Sequence, residues 1–295
     1  MTTFLLLTIT GIGLASLYFL IASGLSLIFG LMDVLNFAHA ALFTIGAYTA
    51  WVVGAQLTGS LPIIIVYLLA LLSGVLAGTL TAVVMELGLV RRLYGDHVGQ
   101  VLLTVGILLA IEALTRAIFG SDPRTVVVPT WMRETTNVFG ATVPNSRFVV
   151  IAIAVLIFTG LLVFLKRTRH GLIIRAGVEN RPMVTALGIN VGISFTLVFA
   201  IGGALAALAG VLTGSFFGSI TAVQGTQFLI FAFIVVIIGG LGSVKGSALG
   251  ALAVGLLQQY ANYYGQVGMG DLIVFALLGA VVLWRPQGIL GKAVA

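Results

Sequence analysis

The sequence predicts an all-α, polytopic membrane protein: a transmembrane bundle of about 8–10 helices with broken or re-entrant segments, forming a single domain over residues 1–295. Three observations predict it. The chain is 60% hydrophobic and 7% charged, whereas ordinary soluble domains carry roughly a quarter charged residues. Its mean hydropathy is +1.22. Charge-poor runs close to the ~20 residues that a helix needs to cross a bilayer recur from end to end, leaving no room for a soluble domain between them.

The elements follow in order. The first run, Leu5 to Phe29, has no Lys or Arg ahead of it and no small-residue cleavage site, so it reads as a permanent helix rather than a removable signal. Phe37 to Leu57, Leu61 to Leu89, Val98 to Phe119, Phe148 to Leu165 and Ile193 to Phe217 read as further spans. Phe228 to Leu241, Ala248 to Tyr264 and Leu272 to Trp284 are shorter, and are where broken or re-entrant segments are expected. The absence of cysteine excludes disulfides and cysteine-ligated metals.

With these spans the fourteen Lys and Arg divide unevenly. One side collects Arg91, Arg92, Lys166, Arg167, Arg169, Arg175, Arg181, Lys245, Arg285 and Lys292, and the other has Arg116, Arg124, Arg133 and Arg147. Basic loops mark the cytoplasm, so the amino terminus is expected outside and the carboxyl terminus inside. The net charge of +6 is read as this orientation signal. A nucleic-acid binder would need a continuous basic face interleaved with aromatic residues, and these cations sit in short loops.

Two loops are long. The outer one, 120–147, contains Pro123, Pro129, Trp131, Phe139 and Pro144, and suits an interfacial cap or a docking surface for an external partner. The inner one, 166–193, contains "ENRPMVTALGIN". Asn180 as a cap, Pro182 in the first turn and Gly188 as the stop predict a short helix there, with Met183, Ala186 and Leu187 on one face. Such a helix is marginal alone in water and needs something to pack on.

Small residues recur four apart at Gly74 and Gly78, at Gly202, Ala206 and Gly210, and at Gly242, Gly246 and Gly250. In lipid this spacing lets helices approach closely, so the stripes read as packing interfaces.

The stretch "GLMDVLNFAHAALFTIGAY" sets Asp33, Asn36 and His39 between two apolar runs. Asn36 reads as a cap for a helix starting at Phe37. Asp33 reads as a loop carboxylate at the inner surface, and His39 as a hydrogen-bonded interior histidine; the alternative for all three is an irregular segment lining an aqueous pathway. Glu112 and Arg116, four apart, read as a pair along one helix, and Glu86 sits at the basic end of its span.

Enzyme chemistry is poorly supported. "GMGD", ending at Asp271, matches the Gly-x-Gly-Asp of intramembrane aspartyl proteases, but that chemistry needs a second carboxylate close by, and Asp271 reads better as a cap for the last span. The three histidines are scattered, which excludes His-Glu-x-x-His, and no Gly-x-Ser-Gly of the intramembrane serine type occurs. "GSVKGS", 242–247, has Lys before Gly, the reverse of the order that wraps phosphates. If ATP drives this protein, another chain binds it.

Four landmarks, "GLSLIFGLMDVLNFAHAALFTIGAY", "AGVENRPMVTALGINV", "FAIGGALAALAGVL" and "IIGGLGSVKGSALGALAVGLLQ", taken in order, resemble the permeases of branched-chain amino acid ABC importers. The resemblance implies a bacterial inner-membrane importer in which this chain and a paralogous permease form the pore. It also implies two cytoplasmic ATPases that bind ATP and Mg, and a periplasmic binding protein that delivers substrate. The inner loop would then be the coupling element, with Glu179, Asn180, Arg181, Pro182, Met183, Ala186, Leu187 and Gly188 at the ATPase. The substrate stays open among branched-chain amino acids, urea, short amides and aromatic acids. A secondary transporter or channel working without an ATPase is the competing reading; it would need its own ionisable site at mid-membrane depth.

Overall fold

The computed structural model describes residues 2–32, 35–188, 191–266 and 268–291. These form, in order, α1 (Thr2–Met32), α2 (His39–Leu57), α3 (Ile63–Gly88), α4 (His97–Phe119), β1 (Arg124–Thr125), α5 (Thr130–Arg133), β2 (Thr135–Val138), β3 (Ala141–Pro144), α6 (Asn145–Arg167), α7 (Arg169–Ala186), α8 (Val191–Phe217), β4 (Ser219–Ile220), α9 (Gln224–Gly239), α10 (Val244–Tyr264) and α11 (Met269–Trp284). A 3-10 turn, Val90–Leu93, follows α3.

α1, α2, α3, α4, α6 and α8 are each long and apolar enough to cross a membrane, whereas α9 and α10 pass that test only together and meet at a 117° bend. Contacts settle the path. Gly30 of α1 lies against Gly242 at the bend, and Phe4, at the other end of α1, packs on Tyr260 at 5.9 Å. α10 therefore runs back along α1, and α9–α10 is a hairpin rather than one broken span. α11 starts beside Asn262 and the chain after it reaches Gly240, so it returns to the bend. The end holding the bend also carries Arg91, Arg92, Lys166, Arg167, Arg169, Arg175, Lys245 and Arg285, and is called the basic end below.

Burial orders the helices from inside outward. In their most apolar stretches α8 is 72% buried and α1 61%, against 28% for α3, 17% for α6 and 11% for α4. Close approach at the inner crossings depends on missing side chains. A Cβ on Gly78 would stand 2.3 Å from Ala207 Cβ, one on Gly210 2.2 Å from the Phe43 carbonyl, and one on Gly202 2.7 Å from Ile28. Ala206 is fully buried between them. A Cβ on Gly74 would fall 2.5 Å from the Gly46 carbonyl, and one on Gly246 or Gly250 would fall 2.0 or 2.6 Å from α9 backbone oxygens, so these glycines let the α9–α10 hairpin close.

Two elements differ from the sequence reading. The inner helix is one unit of 18 residues starting at Arg169, so Asn180 is not its cap and Pro182 is not in its first turn. The cap is Thr168, whose hydroxyl accepts the Gly171 N–H at 3.0 Å. Gly188 follows the helix with φ +76°. The outer loop folds as a β2–β3 hairpin, pairing Thr135 with Pro144 and Val138 with Ala141. Its turn, Phe139–Gly140, takes positive φ at both residues (49° and 88°), the geometry that suits a two-residue hairpin turn. A second pair, β1 with β4, ties this loop to the exit of α8.

Candidate functional site

The break between α1 and α2 goes deep. Asp33 lies outside the described residues. His39, the first residue of α2, places its ring beside Gly24 and its Nε2 3.1 Å from the Ile21 carbonyl. Since a carbonyl only accepts, Nε2 carries the proton. Those α1 residues lie about 12–16 Å above Met32 at the helical rise of ~1.5 Å per residue. Asn36 and Ala38, just before α2, are thus buried inside the bundle outside any helix, which lipid permits only where protein surrounds the backbone.

Asn36 does not cap α2. The turn closes through its backbone, whose carbonyl accepts the His39 N–H at 3.2 Å, and the cap position falls on Ala38, which supplies no side-chain bond. The Asn36 amide and His39 Nδ1 are buried and find no partner among the described residues. An unsatisfied buried polar group costs about 1–3 kcal/mol, so these atoms call for a partner beyond the bonds described.

At the basic end, Glu86 is fully buried beneath Arg91, which is 40% exposed. Arg91 donates to both carboxylate oxygens, Nε to Oε1 at 2.9 Å and Nη2 to Oε2 at 3.1 Å. Tyr94 donates to Oε1 at 2.7 Å and Thr196 to Oε2 at 2.9 Å, while Arg91 also donates to Thr196 at 2.7 Å. The hydrogen bond to Glu86 holds the Arg91 guanidinium above its ordinary pKa. This clamp joins α3 and the 3-10 turn to the first turns of α8, the helix that follows α7. The spacing of five between Glu86 and Arg91 is not a helical pair; it works because α3 ends at Gly88 and the 3-10 turn folds Arg91 back.

At mid-depth, Glu112 of α4 pairs with Arg116 and accepts from Thr226, in the first turn of α9, at 2.8 Å. The Arg116 half of this pair was readable from its spacing; Thr226, 114 residues away, was not.

Asp271 does not act as a cap. It lies in the first turn of α11 behind Gly268 and accepts from Gln258 Nε2 at 2.6 Å; Gln258 in turn accepts from Tyr18 at 2.7 Å. This chain attaches to the middle of α1, about 21 Å from Met32 by helical rise. Among the described residues no second carboxylate is bonded to Asp271, so the proton-sharing dyad an aspartyl protease needs is not formed there; Asp33 lies outside those residues. Among the described residues no group of three or more His, Asp or Glu is placed to hold a metal.

Stacked apolar helices long enough to cross a membrane, with polar groups between them and a break between α1 and α2, are the architecture of membrane transport permeases. The chain belongs to the family described as branched-chain amino acid transport system permease components, whose profile matches residues 7–282. It is 31% identical to the high-affinity branched-chain amino acid transport system permease protein LivH of Escherichia coli, over 96% of this chain and 94% of that one. It is 30% identical, with the same coverage, to the corresponding permease protein BraD of Pseudomonas aeruginosa. A more distant relative, the ribose import permease protein RbsC of Haemophilus influenzae, is 28% identical over 79% of this chain and 73% of its own. No solved structure matches.

Proposed function

We infer that this chain is the transmembrane permease subunit of an ATP-driven importer for branched-chain or other small amino acids, forming half of the translocation pathway. Family membership over nearly the whole chain supports the reading, as do the names of its relatives. The observation that carries the coupling role is the surface of α7. Ile174 and Val184 are buried against the bundle, while Met183, Ala186 and Leu187 are exposed at the basic end. Glu179, Asn180, Arg181 and Pro182 belong to the same helix, and Gly188 ends it.

The assembly comprises this chain, a paralogous permease, two ATPases holding ATP and Mg at the basic end, and a binding protein at the hairpin end. The membrane is the bacterial inner membrane. The basic end is cytoplasmic, which puts the amino terminus in the periplasm and the carboxyl terminus in the cytoplasm. ATP-driven closure pushes α7, and α8 moves with it against the Glu86 clamp. The test is reconstitution in vesicles. Uptake of a branched-chain amino acid is expected only when ATPases and binding protein are present; uptake by the chain alone would favour a secondary transporter.

The break carrying Asp33, Asn36 and His39 is proposed to line the pathway when the site opens, with the Asn36 amide and His39 Nδ1 then hydrated. Replacing Asn36 by Leu and His39 by Phe is expected to lower uptake at least tenfold and to leave the purified complex intact, since the substitutions remove groups whose hydrogen bonding is incomplete in this state. Unchanged uptake would remove the break from the pathway.

A further inference from the structure

The ion pair on α4 has no place in packing or coupling as described so far. Its depth is set by contacts on either side. Thr104, eight residues before Glu112, donates to the Leu35 carbonyl near the basic end, and Phe119, seven residues after it, packs on Tyr48 and Trp51. Glu112 therefore stands about 12 Å from the first contact and about 10 Å from the second. Its partner Thr226 opens α9, which begins where Gly225 meets Ala40 and Thr44 and where Phe228 packs on Tyr18 and Phe43. That is mid-depth along the bundle, with Glu112 on its least buried spanning helix. Yet the pair is open to its surroundings: the side chains of Arg116 and Glu112 are 45% and 16% exposed, and Gln227, next to Thr226, is exposed too. Charges at the centre of a bilayer are costly against lipid and face protein or water instead.

We propose that Glu112 and Arg116, with Thr226, form a binding site on the translocation pathway for the zwitterionic backbone of an α-amino acid. The two side chains are mutually satisfied in this structure, and a zwitterion is the ligand that replaces each with its own complement: the α-ammonium takes Glu112, and the α-carboxylate takes the forked donors of Arg116. Each charge keeps an opposite charge as partner throughout the exchange, so neither is left alone in the membrane. Recognition of backbone rather than side chain leaves selection among amino acids to the binding protein. The assignment rests on the importer reading above.

The chain has no cysteine, so single cysteines report alone. In the assembled importer, Gln227→Cys is expected to react with hydrophilic thiol reagents, and saturating leucine is expected to slow the reaction about fivefold or more. E112Q and R116Q should each abolish that protection and lower uptake about tenfold or more, with ATPase stimulation by the loaded binding protein retained. Failure of Gln227→Cys to react at any stage of the ATP cycle would place this face against lipid or the second permease and overturn the proposal. Leucine protection that survives E112Q and R116Q would overturn it equally. Failure of the importer reading itself would appear separately, as absence of leucine uptake by the unsubstituted complex.

Discussion

Gly210→Leu is expected to prevent recovery of folded protein. A Cβ there would fall 2.2 Å from the Phe43 carbonyl and 3.3 Å from Ala47 Cβ, so the clash is with backbone, and no side-chain rotation relieves it. α8 and α2 would have to separate at a buried crossing, and α3, which meets the same stretch of α8 through Gly78 and Ala207, would lose its seat. Overpacking costs 1–3 kcal/mol where side chains can give way; here about 3 kcal/mol or more is expected. The control is Gly106→Leu on α4, where nothing lies within 4 Å of the added atom. Monodisperse yield after detergent extraction should collapse for the first variant and hold for the second.

The second large effect is asymmetric. Arg91→Ala is expected to destabilise the protein more than Glu86→Gln does. Removing the guanidinium leaves a fully buried carboxylate with only the Tyr94 and Thr196 hydroxyls, and breaking a buried pair in this way costs about 3 kcal/mol. Removing the negative charge instead leaves an arginine that is 40% exposed and can be hydrated, and the glutamine oxygen still accepts from Tyr94; about 1 kcal/mol is expected. Thermal unfolding of the two variants in the same detergent orders them. The same clamp predicts a functional signature: either substitution should reduce uptake per ATP hydrolysed, because fewer hydrogen bonds then tie α8 to α3 beside the coupling loop.

The long helices were legible because a run of apolar residues in a bilayer has one outcome; backbone groups must bond within the segment. Boundaries at the break were not. Asn36 is a good cap in isolation, but the turn closes through its carbonyl and the helix starts at His39, three residues on. Thr168 is less conspicuous than the Asn180–Pro182 pair, yet its hydroxyl reaches the Gly171 N–H, and α7 is correspondingly longer than expected. The β2–β3 hairpin was hidden because its turn places Phe139 at positive φ, where glycine or asparagine would normally announce it. In the candidate site, Arg116 follows from helical spacing, whereas Thr226 and Thr196 come from helices more than a hundred residues away and only the fold brings them to Glu112 and Glu86.

The central claim is that the basic end faces the cytoplasm and takes the stroke of the ATPases through α7. Leu187→Cys, exposed at the end of that helix, is the probe. In intact cells a membrane-impermeant thiol reagent should leave it untouched while labelling Phe139→Cys on the outer hairpin, and in inside-out vesicles the pattern should reverse, with added ATPase shielding Leu187→Cys. Labelling of Leu187→Cys from outside intact cells would contradict the account.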